Sequence, residues 1–137
     1  MIEAVRGFLR GFSKIEETDI FNVEYLPEYA TSFSLIEEQM VNGGILNTFL
    51  NGVTRREYRV TLQCVFDYDK ALEVNVDNSS FLKDFQEWIE QQNDKEEYPM
   101  IPRIQSMKVD TTPYLQAVSA DQTQAIYLVG LLFIYLK

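Results

Sequence analysis

AIYLVGLLFIYLK, residues 125–137, is apolar on both faces of an extended chain. Ile126, Leu128, Leu132, Ile134 and Leu136 alternate on one side, and Ala125, Tyr127, Val129, Leu131, Phe133 and Tyr135 on the other. A strand in an ordinary antiparallel sheet needs only one apolar face, because the other meets water. This one must be covered twice, by its own core and by something else, either another subunit or a further part of the same chain. The run is too short for a spanning helix, which needs about twenty apolar residues. Its β-branched and aromatic content reads as a buried strand, so no membrane association is expected.

The neighbouring segments show which elements accompany it. Residues 53–67 alternate cleanly: Tyr58, Val60, Leu62, Cys64 and Phe66 face one way, and Arg55, Glu57, Arg59, Thr61 and Gln63 the other. That is a long strand with one buried and one polar face. Asn51-Gly52 before it reads as a two-residue hairpin turn with both residues at positive φ. Shorter strands are expected at 20–26, ended by Pro27, at 32–38 and at 45–50, with a turn at Asn42-Gly43-Gly44. Further strands are expected at 103–109 and 114–118, separated by Thr111-Thr112-Pro113, and the last at 123–136.

Two segments have helical spacing. Ile2, Val5, Leu9 and Phe12 mark a short amphipathic helix over 2–12. Phe81, Leu82, Phe85, Trp88 and Ile89 mark the main helix over 80–92, with Asp77-Asn78-Ser79-Ser80 supplying capping residues. The order helix, strands, helix, strands predicts one α+β domain over residues 1–137: a largely antiparallel β-sheet with an N-terminal helix and one main helix packed on it.

Composition narrows the function classes. The chain has 137 residues, a net charge of −9 and no histidine. Nucleic-acid grooves need clustered Lys and Arg, whereas the basic residues here are scattered, so sequence-specific nucleic-acid binding is not expected. The absence of histidine removes the commonest general base and metal ligand. The single cysteine, Cys64, lies on the buried face of its strand and reads as an inert thiol. The N-terminus lacks the apolar core of a signal peptide, which reads as an intracellular chain.

Candidate chemical sites were weighed in turn. Glu16-Glu17, Glu37-Glu38 and Glu96-Glu97 are adjacent pairs, and adjacent residues on a strand point to opposite faces. Asp67, Asp69 and Glu73 lack the spacing and the central Gly of a calcium loop. Gly43-Gly44 has no Lys-Ser or Lys-Thr after it and is no phosphate loop. No catalytic residue, cofactor or metal is expected. A pocket between helix 80–92 and the sheet, with Tyr25, Tyr58 and Trp88 as contacts, is the alternative: a small-molecule-binding domain. An adaptor acting by strand pairing is a third reading.

Four stretches carry a family resemblance. MIEAVRGFLRGF and NVEYLPEYATSFSLIEE at the N-terminal end, RREYRVTLQCVFDYDK in the centre, SSFLKDFQEWIEQQN with Phe81, Phe85, Trp88 and Gln91, and IQSMKVDTTPYLQAVSADQTQAIYLVGLLFIYLK together resemble minor capsid and tail-terminator proteins of long-tailed bacteriophages and prophages, especially those of Gram-positive hosts. Residues 42–50 depart from the pattern. The resemblance implies a virion structural protein, present in the host cytoplasm during assembly. Such proteins form a homo-oligomeric ring, commonly six subunits, at the head-proximal end of the tail, where it stops tube polymerisation. Its partners are the tail tube protein and the head connector, with DNA passing through the lumen. No catalytic residue is carried over. The expected subunit interface combines Arg55, Glu57 and Arg59 with Tyr127, Val129, Leu131 and Phe133 on what is taken as the outer face of the last strand.

Overall fold

The long strand β4, Thr54–Asp67, and the last strand β6, Gln124–Leu136, are antiparallel partners along nearly their whole length, from Arg55 opposite Leu136 to Asp67 opposite Gln124. This ladder is the spine of the computed structural model, which describes residues 1–16, 19–24, 31–68 and 72–137, the side chains of 72–75 excepted. Around it the chain runs α1 (Ile2–Leu9), β1 (Ile20–Val23), β2 (Ser32–Glu37), a 3₁₀ turn (Val41–Gly44), β3 (Ile45–Thr48), β4, α2 (Leu72–Asp94), β5 (Ile104–Val118) and β6.

The sheet order is β1-β2-β4-β6-β5, with β3 also paired to β4. Since β6 occupies one side of β4, β2 and β3 lie end to end along the other, at Val60–Val65 and Thr54–Arg56. Only β1 and β2 are parallel. The protein is therefore α+β, two helices with a six-stranded, mostly antiparallel mixed sheet, as its sequence pattern predicts. The expected end of the first strand at Pro27 lies outside the described residues.

The helices pack on one face. Val5 and Leu9 of α1, then Phe12 and Ile15, join Leu82, Phe85 and Ile89 of α2 over the even-numbered core residues of β4 and the odd-numbered residues of β6. Aromatic rings bind these elements together. Phe12 lies 5.5 Å from Phe81, 5.5 Å from Phe85 and 5.4 Å from Trp88, and Phe81 continues the contact to Phe33 and Phe66. Tilted and edge-on pairs of this kind add about 0.5–1.5 kcal/mol each beyond the area they bury. Arg6 and Arg10 donate hydrogen bonds to the carbonyls of Phe21 and Asp19, tying α1 to the first strand.

Three local expectations differ from the structure. First, α2 begins near Leu72, not Ser80, because Asn78 is used inside the helix: its buried side chain donates to the Asp67 carbonyl at 2.9 Å. Tertiary bonding outweighs the capping preference of Asn. Second, Thr111-Thr112-Pro113 does not divide two strands. β5 is an edge strand, so the sheet absorbs the segment as register shifts around Thr111 and Tyr114, and a proline at an edge bulge forfeits no ladder bond. Third, α1 stops at Leu9 and residues 10–15 form turns.

The bulge presses β5 onto β6. A Cβ at Gly130 would lie 2.8 Å from Thr111 Cβ and 3.2 Å from Thr111 N, so no larger residue fits without moving a strand. At the far end of α2, Glu96 closes the helix at φ 56, with Glu96 N donating to Asn93 O and Glu97 N to Gln92 O. This is the paired bonding of a helix stop in which glycine is the favoured left-handed residue.

Opposite effects are expected at these two positions. Gly130→Ala is expected to lower unfolding free energy by about 1–3 kcal/mol through overpacking. Glu96→Gly is expected to raise it by about 0.5–1 kcal/mol by removing a Cβ from the left-handed region. Urea unfolding monitored by Trp88 fluorescence measures both, and no loss in Gly130→Ala would show that the β5 bulge yields freely.

Candidate interaction surfaces

Strand register decides which residues reach the surface. Tyr58, Val60, Leu62 and Cys64 stand opposite Phe133, Leu131, Val129 and Tyr127. The core face of β4 is thus continuous with the odd-numbered face of β6. Tyr127, Val129, Leu131 and Phe133, expected at a subunit contact, instead lie between sheet and helices and are at most 7% exposed. The outer face of β6 belongs to the even-numbered set, opposite Arg55, Glu57, Arg59, Thr61 and Gln63.

That outer face is largely covered within one chain. Arg59 stands opposite Leu132 and Glu57 opposite Ile134. The Arg59 guanidinium donates to Glu57 at 3.1 Å and to Asp110 on β5. These bonds, that to Glu57 first, hold the guanidinium charged even more firmly than usual. The ion-paired chains stand beside these apolar residues on the same face of the sheet, with Lys108 of β5 also opposite Leu132. Leu132 and Ile134, flanked by these charged neighbours, are only 6% and 8% exposed. Ile126, Leu128 and Leu136 are half-buried. Among the described residues, one buried side-chain polar atom lacks a hydrogen-bond partner, Gln63 Oε1, at the position opposite Leu128.

Two other apolar surfaces lie at opposite ends of the sheet. The first is the approach and tip of the β3–β4 hairpin. Val41 is 89% exposed, Leu46 and Phe49 are nearly half exposed, and Leu50 is fully exposed. Phe49 N donates to Val53 O, and Gly52 N to Phe49 O. The loop therefore holds three residues, with Gly52 at φ 86 and Asn51 outside the positive-φ region. This replaces the expected two-residue turn and puts Leu50 at its corner. The Asn51 side chain accepts from Val53 N at 3.1 Å, which stiffens the loop. Turn chemistry calls for polar residues there, so it gives no reason for a leucine. The sequence reading assigned residues 45–50 to a strand and attached no role to them; apolar residues beside a hairpin turn are the available signal.

The second surface is a cleft of about 550 Å³ between α2 and the opposite end of the sheet, lined among others by Tyr68, Leu82, Lys83, Pro113, Leu115 and Tyr127. Tyr114 and Leu115 form a half-exposed apolar lip. Among the described residues, Lys83 is the one ionisable lining group other than tyrosine phenols. Two of the residues expected to line a pocket lie elsewhere: Trp88 makes tilted ring contacts with Phe8 and Phe12, and Tyr58 is buried in the core; Tyr25 lies outside the described residues.

Other candidate groups are tied into structure. Tyr58 donates its hydroxyl to Glu37 Oε1 at 2.7 Å, and Cys64 is fully buried. Among the described residues no three Cys, Asp or Glu groups converge as a metal site; Asp69 and the side chain of Glu73 lie outside them. Compared with known proteins, the chain matches no family model and no curated relative.

Burial pushes the Cys64 thiol up, and burial followed by the Glu37 hydrogen bond and charge pushes the Tyr58 phenol up. Both stay neutral in the folded chain, while the unfolded chain sheds these protons near pH 8.5 for Cys and 10 for Tyr. Above those values the unfolded state binds fewer protons, so stability falls as pH rises. Unfolding free energy is expected to be independent of these two groups up to about pH 8.5. It should then decline by about 1.4 kcal/mol per pH unit for each group in turn. In Cys64→Ala the decline is expected to start only near pH 10; an unchanged onset in urea titrations would assign the first step to another group.

Proposed function

We propose that the protein is a phage or prophage virion structural protein, a tail terminator or neck component that forms a ring at the head-proximal end of the tail and stops tube polymerisation. The observation that carries this reading is the pair of dissimilar apolar surfaces at opposite ends of the sheet, Leu46–Leu50 and the Tyr114–Leu115 lip. A ring is built by head-to-tail contacts, which require two different mating surfaces on each subunit. A single self-complementary patch makes a two-fold dimer instead.

Three further features support it. The aromatic helix that carries the family resemblance packs Phe81, Phe85 and Trp88 against the N-terminal segment and sheet, as a structural scaffold would. The sheet is long, and its outer face is roofed by fixed ion pairs, which suits a rigid building block. The net charge of −9 favours an acidic lumen, repelling DNA over the short range that salt permits, about 8–10 Å. The reading assigns no catalytic residue or cofactor. Its partners are further copies of itself, probed as a hexamer, together with the tail tube and head connector, in the virion and in the host cytoplasm during assembly.

One observation favours a second reading. The cleft beside α2 has the volume of a ligand pocket, which typically spans about 300–1,000 Å³, so a small-molecule-binding domain is the competing use.

Deleting the reading frame from its phage or prophage genome is expected to yield tails of uncontrolled length and heads left unjoined, with wild-type length restored by supplying the chain in trans. Intact virions with tails of normal length would overturn the terminator and neck assignment. In a ring reconstruction the lumen wall is expected to be acidic, and a predominantly basic wall would contradict the proposed role of the charge.

A further inference from the structure

We propose that the hairpin tip of one copy, Phe49 and Leu50, seats in the α2–sheet cleft of the next copy and that this contact repeats head to tail around the ring. The inference rests on the ring reading and names the surfaces that build it.

Knob and socket have matching chemistry. The tip residues Phe49, Leu50, Asn51 and Gly52 carry no ionisable side chain. The cleft walls are mostly apolar or aromatic, and the amine of Lys83 sits on a flexible stem that can remain in water. Among the described residues neither side has to bury a fixed charge, which keeps desolvation inexpensive. The knob is also pre-formed. The Phe49–Val53 bond, the Gly52–Phe49 bond and the Asn51 side chain hold the loop, which reduces the ordering cost of docking.

Position excludes the chain's own hairpin from the cleft, so a tip seated there comes from a second copy. The tip adjoins the first residues of β4, and the cleft lies beside Tyr68, just past its last. Fourteen residues of strand separate them, about 40 Å at the usual rise, so a chain cannot fill its own cleft. Each copy thus presents one knob and one socket at different places on its surface. That arrangement is heterologous, and it closes into a ring when each step adds a fixed rotation.

Cysteine placement tests the contact cleanly, because native Cys64 is fully buried. Phage carrying Leu50→Cys with Leu115→Cys in this gene, both positions being exposed in one chain, are treated as intact virions with a short bismaleimide. Denaturing gels probed for this chain are then compared with each single variant. A ladder of multiples extending beyond the dimer, absent in both single variants, is the expected result. A product that stops at the dimer overturns the head-to-tail geometry. Uncrosslinked chain present in the virions overturns the knob-and-socket contact while leaving the ring reading intact. Virions that form without the chain overturn the ring reading itself. Should the double variant yield no particles, Leu50→Asp and Leu115→Lys are expected to block assembly singly and to restore it together, and failure to restore it overturns the contact.

Discussion

β6 carries large apolar side chains on both faces, so the sheet has to cover the same strand twice. The inner cover is conventional: two helices and their aromatic residues close over Tyr127, Val129, Leu131 and Phe133. The outer cover is made of charged residues. Arg59, Glu57 and Asp110 are paired above Leu132 and Ile134. Partly exposed ion pairs of this kind contribute only about 0–1 kcal/mol as electrostatics. Their larger effect here is steric. The pairing fixes long side chains next to the leucine and isoleucine, where methylene stems of this kind shield apolar neighbours from water. Gly130 completes the arrangement, since its missing side chain lets the β5 bulge close on the strand.

The inner face depends on rings that are distant in sequence. Phe8 and Phe12 come from the N-terminal segment, Phe33 from β2, Phe66 from β4, Phe81, Phe85 and Trp88 from α2, and they form one connected set. Most of these contacts bridge elements that share no backbone hydrogen bonds, whereas Phe33–Phe66 spans the paired strands β2 and β4. The helices are therefore held to the sheet by packing alone along most of their length, apart from ties such as Asn78 to Asp67 and Asn93 to Met107.

Much of this was legible in the sequence, and the exceptions have physical reasons. The two faces of β4 could be read because one is apolar and one is charged, and the α+β architecture followed from the order of periodic segments. The orientation of β6 could not, because both its faces are apolar. Only its register against β4 decides that Phe133 and not Leu132 faces the helices. The start of α2 was hidden by Asp77-Asn78-Ser79-Ser80, a good capping string whose Asn is recruited for a tertiary bond. The bulges of β5 looked like a strand break because Thr-Thr-Pro interrupts alternation whether the strand ends or merely kinks. The hairpin tip was hidden for a different reason. Leu46, Phe49 and Leu50 have the composition of core strand residues, and their position beside a hairpin turn is the one sign that they are exposed.

The covering of β6 bears on where subunits can meet. A bare apolar sheet face would draw copies together broadside, strands stacked against strands. Here the centre of the outer face is flanked by fixed charges, and large exposed apolar groups on the sheet lie towards its ends, at Leu46, Phe49 and Leu50 on one side and at Ile20, Tyr114 and Leu115 on the other. Contacts at strand ends join subunits along the strand direction. Under the proposed reading, the ring is then a closed series of sheets linked end to end, and its curvature is set by the angle at which the stiffened hairpin enters the neighbouring cleft. The charged roof over Leu132 and Ile134 has a second consequence in such a ring. By withholding the sheet face from self-contact, it disfavours the stacked dimers and open fibres that would compete with closure.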